Sequence, residues 1–287
     1  MSQNLSPDIT ARVEKLLGWT PERWRPVFGG YTPAARYAVA AGEHTGFVKI
    51  ATTEISARQV NSEIIAYAGI SGPFVPRLLG AEPHPTTPIL IIEDLSSATW
   101  PPPWTDELLG RVLDTIAEMH RTPSMLAHGG LLHGREAGWP SVAAKPDPFL
   151  SLGLVSSQWL ERALPTLLAA EAACPLAGDA LTHLDLRSDN LCVTAEGVKI
   201  IDWAEACRSD PGVDLGFFLP SLAYEGGPLP ETILPERADV AATVAGFFAA
   251  RAGLPDIPLS PFVRRVQREQ LSTALPWAIR ALGLPQS

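Results

Sequence analysis

The 287-residue sequence predicts an α+β protein in two lobes, a small β-rich N-terminal lobe and a larger, mostly helical C-terminal one. Three observations predict it. Residues 25–51 and 88–95 have strand texture, with glycine turns at Gly29-Gly30 and between Gly42 and Gly46. Four long stretches of helical spacing follow residue 105. Between them SSATWPPPW (96–104) carries three prolines, which suit neither a helix nor a central strand. The expected organisation is an N-terminal lobe over 1–95, a linker over 96–104 and a helical lobe over 105–287.

The elements follow in order. A helix is expected over 6–18, capped by Ser6, opened by Pro7 and stopped at Gly18. In the β segment, FVKI (47–50) puts Lys49, one of only four lysines, on an apolar strand. ISARQVNSEIIAYAGI (55–70) returns to helical spacing with Val60, Ile64 and Tyr67 on one stripe, and it also carries Glu63. PILIIEDL (88–95) is an apolar run of strand length that ends in acids. Past the linker, helices are expected over 105–120, 154–172, 235–253 and 261–282, with Pro165 and Pro276 bending or breaking two of them. Strands interrupt this helical half once, in LTHLDLRSDNLCVTAEGVKIIDW (181–203), which reads as strand, polar loop, hairpin and strand.

Composition narrows the setting. With 46% hydrophobic and 18% charged residues the chain is globular rather than disordered. No apolar run reaches the roughly 18 residues needed to span a bilayer, and the first ten residues lack the features of a signal peptide. Cys174, Cys192 and Cys207 are odd in number and form no C-x-x-C pair, which argues for a reduced, cytoplasmic setting without a disulfide framework or zinc. A net charge of −9 without a Lys/Arg cluster makes nucleic acid and anionic membranes poor partners, while a cationic small molecule is tolerated.

The loop in 181–203 is the informative feature. It gathers His183, Asp185, Asp189 and Asn190 within eight residues, and Asp202 follows the next apolar run. Polar loop residues held by a rigid scaffold are frequent carriers of function. Phosphoryl transfer from ATP needs a cation and Mg²⁺ on the phosphates, hard oxygen ligands for the metal, and a carboxylate at the acceptor hydroxyl. The kinase signature that supplies them is H-R-D-L-x-x-x-N, then D-F-G, with a V-A-I-K lysine upstream. HLDLRSDN (183–190), IDW (201–203) and FVKI (47–50) match it in order, separation and element type.

On these motifs, with IDWAEACRSDPGVDL (201–215), EDL (93–95) and AEMH (117–120), the chain resembles the aminoglycoside phosphotransferase and choline kinase-like family over roughly residues 30–220. That family has the bilobal protein kinase-like fold and phosphorylates hydroxyls of small molecules. The resemblance implies that Asp185 is the catalytic base, that Asn190 and Asp202 hold Mg²⁺, and that Lys49 meets the α/β-phosphates of ATP, with GTP not excluded. Glu63 pairs with Lys49 unless another acid such as Glu54 does. It further implies that Gly29, Gly30 and Thr32 line the β/γ-phosphates, that the Glu93 and Leu95 backbone meets the adenine edge, and that Arg187 lies near the γ-phosphate. His183 and Asp214 brace the loop. Three departures stand out: Leu184 and Asp189 occupy positions where many members have glycine, and FGGYTPAARYAV has no G-x-G-x-x-G.

The implied acceptor is a small-molecule hydroxyl, on an aminoglycoside-like antibiotic, a sugar or an amino-alcohol. Eleven residues separate Asp202 from Asp214 and no A-P-E follows, which speaks against a protein acceptor. Glu205, Asp210 and Glu225 either line an electronegative pocket or are solvated, and Trp100 and Trp104 either stack on an acceptor or pack the linker. Asp189 receives no role. Two other readings compete. A nucleotide-binding, pseudokinase-like module without turnover would be expected to lack one of Lys49, Asp185, Asn190 or Asp202, and none is missing. A metal-dependent hydrolase with His183, Asp185 and Asp189 as ligands leaves Lys49 and Glu63 without a task.

Overall fold

The computed structural model describes residues 5–30, 33–129 and 138–286. They group into two compact units, one formed by the chain up to Pro101 together with Asp189–Ala206, the other by Pro102–Ser188 and the chain from Cys207 onward.

The first unit is built on a five-stranded antiparallel sheet. Its strands are β1 (Arg23–Pro26), β2 (Ala34–Ala41), β3 (His44–Ala51), β4 (Leu78–Glu82) and β5 (Ile89–Ile92), in the spatial order β1-β2-β3-β5-β4. Side chains alternate between the two faces. Tyr37, Val39, Val48, Ile50, Ile89 and Ile91 form one face and close a core with Val13 of α1 (Pro7–Leu17). The Ser6 hydroxyl accepts the Ile9 N–H at the start of α1, and Gly18 ends it at φ 74°. The opposite face of β3 carries Phe47 and Lys49, paired across the register with Ile92 and Leu90. Helix α2 (Glu54–Gly69) opens on a reciprocal Thr53–Ser56 capping box and packs on β3.

Residues 189–206 join this unit by specific bonds. They form the hairpin β7 (Leu191–Thr194) and β8 (Gly197–Ile200). Val193 and Thr99 exchange backbone bonds of 2.8 and 2.9 Å, and the Ile200 N–H donates to the Phe74 carbonyl at 2.8 Å. Fully buried Trp203 stacks obliquely on Phe74 and donates its indole N–H to the Ile200 carbonyl.

The second unit is mostly helical: α3 (Asp106–Arg121), α4 (Trp139–Ala144), α5 (Asp147–Leu150), α6 (Ser157–Ala173), α7 (Pro211–Tyr224), α8 (Pro230–Ile233), α9 (Ala238–Ala252) and α10 (Val263–Ala281). Strands β6 (Ala180–Thr182) and β9 (Cys207–Ser209) pair within it. Helix α9 is buried nearly all round because α4, α5, α6, α7 and α10 pack against it. Glycines permit two of these approaches. A Cβ on Gly216 of α7 would lie 2.3 Å from Val240, and one on Gly246 of α9 would lie 2.7 Å from Trp139. Phe217, Phe247 and Phe248 meet edge-to-face alongside. Neither Pro165 nor Pro276 breaks its helix: α6 and α10 each continue through their proline as one helix. Their buried faces, with Trp159 and Leu167 on α6 and Leu275 and Trp277 on α10, offset the lost backbone bond. No helix among the described residues is long and apolar enough to cross a membrane.

Candidate active site

The first unit brings together residues far apart in sequence. The Lys49 ammonium lies 2.6 Å from Glu63 of α2 and 2.9 Å from Asp202. Lys49 and Glu63 are buried, whereas the Asp202 side chain retains 31% of its exposure. Burial pulls the Lys49 amine down, yet the Asp202 and Glu63 carboxylates outweigh it and its pKa is raised. Burial, reinforced by Asp202, pushes the Glu63 carboxyl up against the pull of Lys49. Glu54, the alternative partner, instead pairs with Arg58 on the exposed side of α2.

Asp202 sits in the left-handed region, at φ 65° and ψ 57°, which aspartate tolerates better than most residues. That bend breaks the strand after Ile200 and starts the short turn Trp203–Glu205. Asn190 is buried, and its carbonyl accepts the N–H of Ile201, so the backbones of Asn190 and Asp202 are neighbours. One carboxylate and one carboxamide are hard oxygen donors with coordination to spare. They suit a cation such as Mg²⁺ that keeps phosphate and water oxygens for most of its shell. Among the described residues no group of three or more His, Cys, Asp or Glu could cage a metal.

Gly29 and Gly30 lie in the β1–β2 loop at φ 125° and 73°, conformations open to glycine. Thr32 lies outside the described residues. At the end of β5 the Glu93 N–H donates to the Arg77 carbonyl, and the Leu95 carbonyl accepts the Ala98 N–H. The Glu93 carbonyl and the Leu95 N–H have no partner among the described residues, which leaves one acceptor and one donor two residues apart. The Glu93 side chain accepts the Arg77 N–H and lies 3.8 Å from Lys199, so only its backbone is available.

In the second unit the loop 183–188 is held from beneath. Fully buried Asp214 accepts the His183 N–H at 3.1 Å, the Leu184 N–H at 2.6 Å and a bond from the His120 imidazole at 2.8 Å. This grip sustains Leu184 at φ 60°, a costly conformation for a residue with a bulky side chain. His183 is fully buried and its Nδ1 accepts the Asp185 N–H, which makes it a brace and disqualifies it as an open metal ligand. Asp185 keeps 38% of its side-chain exposure and lies 3.5 Å from Arg187. Ser188, last in this loop, donates to Glu225, which also accepts the Trp104 indole N–H at 2.8 Å.

Several acids read from the sequence receive positions here. Asp210 caps α7 and pairs with Arg237, so it is structural. Glu225 is engaged as described, Glu205 closes the short turn after Asp202, and Asp189 is exposed. Trp104 packs edge-on against Phe218, a linker contact. One residue escaped the sequence reading: Arg36, opposite Lys49 across β2 and β3. Its signal was present, as the only charge in the strand AARYAVAA.

The profile of the phosphotransferase enzyme family matches residues 23–256, which contain every residue of this candidate site. The chain belongs to this family. Its fold is protein kinase-like, as the similar solved structures show. Spectinomycin phosphotransferase APH(9)-Ia, solved with ADP and spectinomycin, is similar over 98% of this chain and 100% of its own, at 15% identity and a TM-score of 0.64. Aminoglycoside phosphotransferase APH(4)-Ia is similar over 97% and 99%, at 13% identity and a TM-score of 0.62. Choline kinase LicA from Streptococcus pneumoniae is similar over 96% and 98%, at 14% identity and a TM-score of 0.57. No curated protein sequence matches.

Proposed function

We propose that this phosphotransferase is an ATP- and Mg²⁺-dependent kinase of a small-molecule hydroxyl. The observation that carries the reading is the buried Lys49 ammonium held at 2.6 Å by Glu63 and at 2.9 Å by Asp202. A buried lysine fixed by two carboxylates from different segments is expensive for stability alone and is what a phosphate-binding cation requires.

The residues divide the work as follows. Lys49 meets the α/β-phosphates, and Glu63 fixes its direction. Gly29, Gly30 and Thr32 offer backbone N–H groups or a hydroxyl to the β/γ-phosphates. The Glu93 carbonyl and Leu95 N–H pair with the adenine edge. Asn190 and Asp202 would hold Mg²⁺, which when bound supplies charge neutralisation at the transferring phosphoryl group. Asp185 orients the acceptor hydroxyl and accepts its proton, Arg187 restrains that carboxylate, and Asp214 with His183 fixes the loop that carries it. The similar structures include complexes with spectinomycin and hygromycin B and a choline kinase. They support a polar, hydroxyl-bearing acceptor here.

The test is ATP-dependent phosphorylation of a mixed library of aminoglycosides, sugars and amino-alcohols, read as a mass gain of one phosphate. Wild type makes a product, and Asp185→Ala lowers its rate about 10²- to 10⁴-fold. Nucleotide binding that needs Mg²⁺ but yields no product across the library would favour a binding module without turnover. Absence of nucleotide binding would overturn the reading.

A further inference from the structure

The antiparallel register sets Arg36 of β2 directly opposite Lys49 of β3, and directly opposed residues project from the same face of a sheet. The neighbours of Arg36 confirm the face, because Tyr37 and Val39 point the other way into the core with Val48 and Ile50. Arg36 is half-buried, and its Nη1 donates to the Ala34 carbonyl at 3.1 Å. A Cβ built on Gly30 would lie 2.7 Å from its Nη2. The guanidinium therefore rests against the backbone of the glycine loop, in space that a side chain on Gly30 would contest. Its charge is felt by Lys49: burial depresses that amine most, Asp202 and Glu63 raise it, and Arg36 is the cation that opposes them.

Charge balance shows why a second cation matters. The single positive charge of Lys49 faces two carboxylates, Glu63 and Asp202. Formally the cluster is negative before any nucleotide arrives, and a triphosphate adds about four negative charges, of which one Mg²⁺ would offset only two. We propose that Arg36 is a second phosphate-binding residue, whose guanidinium engages the β- and γ-phosphates beneath the Gly29-Gly30 loop while Lys49 holds the α- and β-phosphates. Its planar fork suits two phosphate oxygens at once. The inference rests on the kinase reading for the identity of the nucleotide.

A ladder of ligands tests it. Binding of adenosine, AMP, ADP and the non-hydrolysable triphosphate AMP-PNP is measured by calorimetry on wild type, Arg36→Gln and Arg36→Lys, each checked for folding by its melting temperature. In Arg36→Gln, adenosine and AMP keep their affinity, ADP weakens a few-fold, and AMP-PNP weakens at least tenfold with a shallower salt dependence. Arg36→Lys retains the charge without the fork and falls between the two; it also serves as the test protein should Arg36→Gln fail to fold. An equal loss for all four ligands would mean that Arg36 only shapes the loop, and an unchanged AMP-PNP affinity would remove it from the phosphate site; either result overturns the proposal. Wild-type protein that binds none of the four would instead overturn the kinase reading on which the proposal stands.

Discussion

Asp214 shows how much a single carboxylate can fix. It is fully buried and accepts from two consecutive backbone N–H groups and from His120. A carboxylate has acceptors for all three donors, whereas an asparagine has one oxygen and turns an NH₂ group toward one of them. Asp214→Asn is therefore expected to leave a buried N–H unpaired, at a cost of about 1–3 kcal/mol measurable by urea unfolding. It should also relax Leu184 from its left-handed conformation and lower turnover of whatever acceptor the library identifies. Unchanged stability and turnover would show that water or the peptide chain can replace this grip.

Among the elements, α7 has a double hold on the loop before it. Asp214 in its first turn takes the loop's start, and Glu225 just past its end takes Ser188. The eleven steps from Asp214 to Glu225 correspond to about 16 Å of helix, and the five steps from His183 to Ser188 can span at most about 18 Å. The loop is thus tied to the helix at both ends. Glu225→Ala should free the later end and speed amide hydrogen exchange in 184–190, while Glu225→Gln, which can still bond both Ser188 and Trp104, should not. Equal exchange in the two variants would argue against the tie.

Much at this scale was legible in the sequence. Helix α1 carried its caps, β3 its isolated lysine, and the 181–203 segment its spacing of acids and asparagine. Helix α7 was not legible as an element, because PGVDLGFFLPSLAY is apolar all round and contains Pro220, so no periodicity marks it. Strand β4 was hidden by the bulge at Leu78/Gly80, which breaks its alternation. Pro165 and Pro276 do not end their helices, because burial of the helix faces outweighs the lost backbone bond. Arg36 was visible as a lone charge, but its placement beside Lys49 depends on register, which sequence alone did not supply.

For the molecule as a whole, the pH response of stability has an identifiable source in α6. Glu171 accepts the Trp139 N–H at the start of α4, and burial, opposed by that bond and by Arg251, raises its pKa from 4.5 to about 7. The folded state therefore holds this proton more tightly than the unfolded chain does. Its contribution to stability is fully present below about pH 4.5 and is lost as pH rises to about 7. The decline is at most about 3 kcal/mol, and less in proportion to how far solvent reaches the group. Glu171→Gln, which can still accept the Trp139 N–H, should flatten the unfolding free energy over that window. A slope identical to wild type would assign the proton elsewhere.

The chain leaves the first unit after Pro101 and does not return until Asp189, finishing it at Ala206. During synthesis the sheet and α2 emerge long before the hairpin that bonds Thr99 and Phe74 and before Asp202 reaches Lys49. At ribosomal rates of about 5–20 residues per second, that wait is roughly 5–20 s. Throughout it the nascent lobe exposes the surface that Trp203 will cover and holds Lys49 against one carboxylate instead of two. Between the hundredth and the two-hundredth peptide bond the first unit is incomplete, and that apolar surface is where a chaperone would bind it.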